Sequence, residues 1–131
     1  MFIDASAILA ILLNEPEADE FFLKLKNAQR PLTSPLARFE SALGLARAKQ
    51  KAVAEASEKI TALLIQSQAQ TIPITEEVGA MAIIAHQQFG KGQHKARLNM
   101  GDCFAYACAK FHSVPLLCKG NDFIHTDIKI A

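Results

Sequence analysis

Residues 98–127 read LNMGDCFAYACAKFHSVPLLCKGNDFIHTD. The pattern is a helix over 99–111, a short strand over 115–118 and then a turn that carries Asp122. Pro115-Leu116-Leu117-Cys118 is an unbroken apolar run of the length expected for a parallel-sheet strand covered on both faces. Asp102 lies about one turn into a helix whose other residues are mostly small or apolar, and Asp122 follows the strand. Neither carboxylate has an evident structural task. In open α/β sheets the carboxyl ends of strands are where ligands sit, so both acids stand where chemistry is expected.

The same strand-to-helix grammar recurs upstream. Thr71-Ile72-Pro73-Ile74 is a short strand, and Thr75 caps a helix over 75–89 whose first turn holds Glu76 and Glu77, negative charge where the helix dipole favours it. Gly90 ends that helix, and GKGQHKAR over 90–97 is a polar, basic loop leading to Asp102. Residues 31–34 form another strand, with Ser34 as N-cap and Pro35 at the first helical position of a helix over 35–49. Glu40 falls in its second turn. A helix over 52–68 completes a hairpin with it. The chain opens on a strand over 1–4 with Asp4 at its carboxyl end, Ser6 positioned to cap a helix over 7–13, and a second helix over 18–27 after the break at Asn14-Glu15-Pro16-Glu17. Strands alternating with helices predict an α/β fold, a parallel sheet of about four or five short strands wrapped by helices, with the opening strand central.

A chain of 131 residues suits one domain, 1–131, able to bury about two-thirds of the surface its unfolded form exposes. The net charge of +1 excludes a polybasic tail or a membrane-surface helix as the main theme. Cys103, Cys108 and Cys118 all lie in apolar helix or strand patterns with no C-x-x-C pair, and His86, His94, His112 and His125 are not spaced as ligands beside them. They read as reduced core thiols of a cytoplasmic protein, not as a zinc site. The apolar start holds Asp4, is far too short to span a membrane and is preceded by no charged leader segment.

Four acids therefore share one address: Asp4 after the first strand, Glu40 in the helix after the second, Asp102 at the start of the last long helix, and Asp122 after the fourth strand. Right-handed crossovers bring them to one sheet edge. Each has a structural alternative, as helix cap, exposed helix residue or turn residue. Together they would repel one another and raise their own pKa values unless a cation neutralised them. Carboxylate oxygens select Mg2+ or Mn2+, and such ions at a sheet edge serve phosphoryl chemistry. Ser6 and Asn99 are either hydrogen-bonding supports for the site or helix caps.

The segments FIDASAILAILLNEPEA, TSPLARFESALGLARA and, above all, RLNMGDCFAYACAK followed by PLLCKGNDF and HTDI make the chain resemble the PIN-domain ribonucleases, and within them the VapC toxins of bacterial toxin–antitoxin pairs. The resemblance covers essentially the whole chain. It implies a three-layer αβα fold, dependence on Mg2+ or Mn2+, endonucleolytic cleavage of RNA, a homodimer, and neutralisation by a cognate VapB-type antitoxin. Its acidic site falls on Asp4, Glu40, Asp102 and Asp122, with Asp4 and Asp102 as the direct metal ligands. Asp127, in the HTDI segment, is either close to the metal or a cap for the chain end.

Competing readings carry less. Gly90-Lys91-Gly92 lacks the G-x-x-x-x-G-K-[ST] spacing of a phosphate-cradling loop. A receiver-type phosphoryl carrier requires paired acids after the first strand, where Phe2-Ile3-Asp4 offers one. A catalytically silent interaction or RNA-binding module with the same fold has no use for an intact acidic set. Lys91, Lys95 and Arg97 either hold RNA phosphates beside the site or form a solvated turn. The helices of the first third carry more apolar side chains than a small sheet covers: Ile8, Ile11, Leu12, Leu13, Phe21, Phe22, Leu25, Phe39, Leu43 and Leu45. About half are expected in the core and the remainder on a groove for an antitoxin segment.

Overall fold

A computed structural model describes all residues, 1–131. Its sheet has four strands, β1 (Phe2–Ile3), β2 (Leu32–Thr33), β3 (Gln70–Thr71) and β4 (Leu116–Leu117), all parallel and in the order β3-β2-β1-β4. The helices are α1 (Ala5–Leu12), α2 (Ala18–Asn27), α3 (Pro35–Lys49), α4 (Val53–Gln66), α5 (Glu76–Phe89) and α6 (Met100–Phe111), with a 3-10 turn at Phe123–His125. The opening strand is internal, as expected, with β2 on one side and β4 on the other.

Strand periodicity sorts the core into two layers. Phe2 and Leu116 are fully buried in a cluster with Val78, Ala82, Leu98 and Tyr106 from the α5 and α6 side. Their neighbours Ile3 and Leu117 are buried with Ile8, Leu25, Leu45, Ile60 and Leu64 from α1 to α4. Successive side chains of a strand point to opposite faces, so two-residue strands suffice to join helical layers above and below. The result is the three-layer αβα arrangement.

The strands are shorter than their apolar runs because helices begin almost at once. Asp4 and Ser34 stop β1 and β2 by capping α1 and α3. The third strand is shifted to Gln70–Thr71 from the expected 71–74: Ile72 makes the last rung, its N–H donating to the Thr33 carbonyl at 2.9 Å, and Pro73 has no N–H to continue. One cap expectation is corrected. Helix α1 begins at Ala5, its N-cap is Asp4, and Ser6 lies inside the first turn as the donor of that cap's hydrogen bonds. Ser34 and Thr75 cap α3 and α5 as expected, accepting from Ala37 N–H at 3.1 Å and Val78 N–H at 3.3 Å. The three cysteines are free and buried. No helix is long and apolar enough to cross a membrane.

Candidate active site

Asp4 is the most buried of the four acids, 7 % exposed at the end of the internal strand. Its Oδ2 accepts from the Ser6 N–H at 3.0 Å and from the Ser6 hydroxyl at 2.5 Å. Ser6 Oγ in turn accepts from the Lys119 N–H at 2.9 Å, which ties the end of β1 to the chain leaving β4. Burial raises the Asp4 pKa, and the Ser6 hydrogen bonds oppose that rise without cancelling it.

Asp102 and Asn99 form a reciprocal cap on α6. The Asn99 N–H donates to Asp102 Oδ2 at 2.9 Å and the Asp102 N–H donates to Asn99 Oδ1 at 2.9 Å. The structure gives Asn99 the capping alternative. Asp102 nevertheless faces the other acids: its pKa is pushed up to about 6, first by desolvation and then by the charges of Asp4 and Asp122. Glu40 lies on the second turn of α3, where that helix passes α6. Its carboxylate rests against Gly101, so closely that a Cβ there would collide with both oxygens. Desolvation, followed by the charges of Asp4 and Asp102, pushes the Glu40 pKa up to about 7. Asp122 is exposed and leads into the 3-10 turn with no capping hydrogen bond from its side chain. Cys118, at the end of β4, is pushed up to about 12 by burial and then by Asp4, Asp102 and Asp122 together.

All four carboxylates thus converge on the carboxyl edge of the sheet. None joins any of the five ion pairs in the chain. Two are engaged as helix caps, and no three His, Cys, Asp or Glu side chains already stand close enough to grip one ion. The donor set still fits a hard divalent cation: all four groups are carboxylates, Asp4 is buried and Glu40 and Asp102 are partly buried, and none has a cationic partner. Asp127 lies elsewhere. It accepts from the Tyr106 hydroxyl at 2.6 Å and from Lys110 at 2.7 Å, fastening the last residues of the chain to α6. Of its two alternatives, the structure gives it the structural one.

The basic loop is pinned at its ends. Lys91 N–H donates to the Leu98 carbonyl and Leu98 N–H to the Phe89 carbonyl, both at 3.0 Å, while Ala96 and Leu98 are fully buried. Lys91, Lys95 and Arg97 are exposed between these anchors. Lys91 also lines a cavity of about 550 Å3 that reaches Asn99 and Met100 at the start of the Asp102 helix. Sequence reasoning missed one pairing, Lys119 with Glu15 and Glu17, at 2.6 and 3.5 Å. The acids sit in a break that reads only as a loop, and their partner is more than a hundred residues away.

Comparison with known proteins agrees with this geometry. The PIN domain family profile matches residues 1–129. A VapC ribonuclease of Rhizobium meliloti is 40 % identical, the alignment covering 97 % of this chain and 98 % of that protein. Two solved structures share the fold. One is the Mycobacterium tuberculosis toxin VapC20, described as cleaving the sarcin-ricin loop (TM-score 0.76, 14 % identity, 99 % and 97 % of the two chains). The other is a toxin–antitoxin complex from Klebsiella pneumoniae (TM-score 0.72, 16 % identity, 99 % and 95 %). An internal parallel sheet edged with four acids and a near full-length match to such relatives have one reading: the chain belongs to the PIN domain family, among its VapC ribonucleases.

Proposed function

We propose that this protein is an endoribonuclease toxin that hydrolyses RNA phosphodiester bonds at Asp4, Glu40, Asp102 and Asp122 with the help of Mg2+ or Mn2+. The observation that carries the proposal is the convergence of four carboxylates with no basic partner, in which, after desolvation, the charges of Asp4 and Asp102 raise the Glu40 pKa and those of Asp4 and Asp122 raise that of Asp102. A bound divalent ion would neutralise the phosphodiester and activate a water, with Asp4 and Asp102 as its ligands and Glu40 and Asp122 beside them. Ser6 orients the Asp4 carboxylate through its hydroxyl. Glu40, resting against α6 beside Asp4 and Asp102, is placed to orient the attacking water. Lys91, Lys95 and Arg97 offer charge to RNA phosphates flanking the cleaved bond, a contact that holds any sequence.

The names of the relatives support the toxin role and an antitoxin partner. We assign a VapB-type antitoxin as the neutralising partner, a homodimer as the working form, one domain over 1–131, and the cytoplasm, where RNA and antitoxin meet, as the site of action. The homodimer is supported by apolar side chains left exposed on the helices: Phe39 and Leu43 on α3, Ile83 and Ile84 on α5 and Met100 on α6.

The test replaces one ligand at a time. Asn is as good an N-cap as Asp, so Asp4→Asn preserves α1 while removing a charged donor. Asp4→Asn and Asp102→Asn should each lower cleavage of a labelled RNA by more than the ~100-fold that an outer-shell contact is worth. Mn2+ should raise the wild-type melting temperature and leave those of the variants nearly unchanged. Full cleavage by purified Asp4→Asn sinks the assignment, and a wild type that folds, binds RNA and never cuts it is the silent module instead.

A further inference from the structure

Beside the acids lies a cluster that the proposed reaction does not use. Lys119 Nζ stands 2.6 Å from Glu15 Oε2 and 3.5 Å from Glu17 Oε2. That Glu17 oxygen is shut off from solvent and has no hydrogen-bond partner, so the Lys119 ammonium is its electrostatic compensation. Glu15 and Glu17 belong to the connection between α1 and α2, in which Asn14 adopts a left-handed backbone at φ 54. The same Lys119 gives its backbone N–H to Ser6 Oγ, and Ser6 gives its hydroxyl to Asp4. The next residue, Gly120, has φ 96 and turns the chain toward Asp122.

We propose that Lys119 is a positioning residue of the acidic site: by clamping Glu15 and Glu17 it holds the β4 exit turn against α1, and thereby fixes Ser6, Asp4 and Asp122. The connections form a closed ring. From Asp4 the path runs through Ser6 to the Lys119 amide, along the Lys119 side chain to Glu15, and back down α1 to Ser6. Charge-assisted bonds are the strong members of such rings, and hydrogen bonds in series reinforce one another. Gly120 makes the ammonium necessary, because a residue free to take positive φ leaves the turn after β4 poorly fixed by its own backbone. Without the cation, two carboxylates face each other, one oxygen of them buried. The connection opens, the Lys119 amide leaves Ser6, and Asp4 loses the donor that aims it.

This inference deepens the nuclease reading and rests on it for the meaning of the site, but its first measurement needs no activity. The variants are Lys119→Met, Lys119→Arg and the double Glu15→Gln/Glu17→Gln, the last keeping shape without charge. Hydrogen exchange of the amides at positions 6 and 119 should quicken about tenfold in Lys119→Met and in the double variant, with α5 unchanged and Lys119→Arg restoring protection. Calorimetric Mn2+ titration should show an affinity about tenfold weaker in the same two variants and recovered in Lys119→Arg, the scale of a supporting contact to a metal ligand. Adding the double change to Lys119→Met should weaken affinity no further, since the groups act as one unit. Unchanged exchange at positions 6 and 119, or a double variant that behaves as wild type, overturns the clamp. If exchange responds as stated while the wild type neither binds Mn2+ nor cuts RNA, the nuclease reading fails and the clamp stands.

Discussion

Glu40 and Gly101 show how one missing side chain can serve an acid. Gly101 sits in the first turn of α6 and its bare Cα lets the Glu40 carboxylate lie against the helix. Alanine is the better helix residue by about 1 kcal/mol, so Gly101→Ala should keep or raise the melting temperature. Its Cβ must push the carboxylate aside, and a shift of about 1 Å at a reacting group can cost about 100-fold. Cleavage should therefore fall by about that factor in a protein of undiminished stability, as paired melting and RNA assays would read. The raised pKa values give a second outcome. Glu40 at about 7 and Asp102 at about 6 bind protons in the native state that the unfolded chain has already released above its ordinary carboxylate range. Their contribution to stability is thus full at low pH and is lost as pH rises through 6 to 7. In the presence of a chelator the melting temperature should drop between pH 5.5 and pH 8, and Glu40→Gln should flatten that drop. A profile in the variant as steep as in the wild type would show that Glu40 does not titrate there. The four acids were legible as residues because each follows a strand or opens a helix. Gly101 was not, since nothing in the sequence says which side chain crosses over it.

Among the elements, the loop between α5 and α6 carries the cations proposed to hold RNA. The loop is anchored by Lys91 and Leu98 at its ends and by the buried Ala96, which leaves its cations facing outward. Replacing Lys91, Lys95 and Arg97 together by Ala removes three charges. The slope of log K against log salt for single-stranded RNA should fall by about 2, at about 0.7 per phosphate contact. Mn2+ affinity should not move, and an unchanged slope would mean a merely solvated turn. Element type was legible throughout, because apolar runs, Ser34-Pro35 and Thr75 carry strong local signals. Boundaries were less so. Where α1 starts depends on whether Asp4 or Ser6 takes the cap, and the choice falls to Asp4 because Ser6 is drawn into a bond with Lys119 from the far end of the chain.

At the scale of the molecule, the sequence places ten apolar residues of the first helices between core and groove. Ile8, Phe21, Leu25 and Leu45 are buried, while Ile11, Leu12, Leu13 and Phe22 pack on the core with part of their surface open. Phe39 and Leu43 stay exposed, at 58 % and 38 %. Eight of the ten therefore lie in or against the core, more than the expected half, and the exposed pair lies on α3, beside Glu40. A second copy docking there would bring two acidic sites together across a two-fold axis. Light scattering should give twice the chain mass, and Phe39→Asp should return it to the monomer mass. A wild-type monomer would remove the dimer. The parallel topology was legible from alternation, and the strand order only in its central member, since pairing of β1 with β4 depends on contacts no local pattern contains.

That pairing has a kinetic consequence. Phe2 finds its partner in Leu116, and Ser6 finds Lys119 across 113 residues of chain. Contacts of such separation close late, because the loop entropy must be met before they form. While the chain emerges from the ribosome at ~5–20 residues per second, Asp4 and Glu40 are made early and stand on a half-built edge, without Asp102, Asp122 or the strand that aligns them. A nuclease organised in this way has no complete cutting edge until the segment that carries Asp102, β4 and Asp122 has been made and has paired with β1.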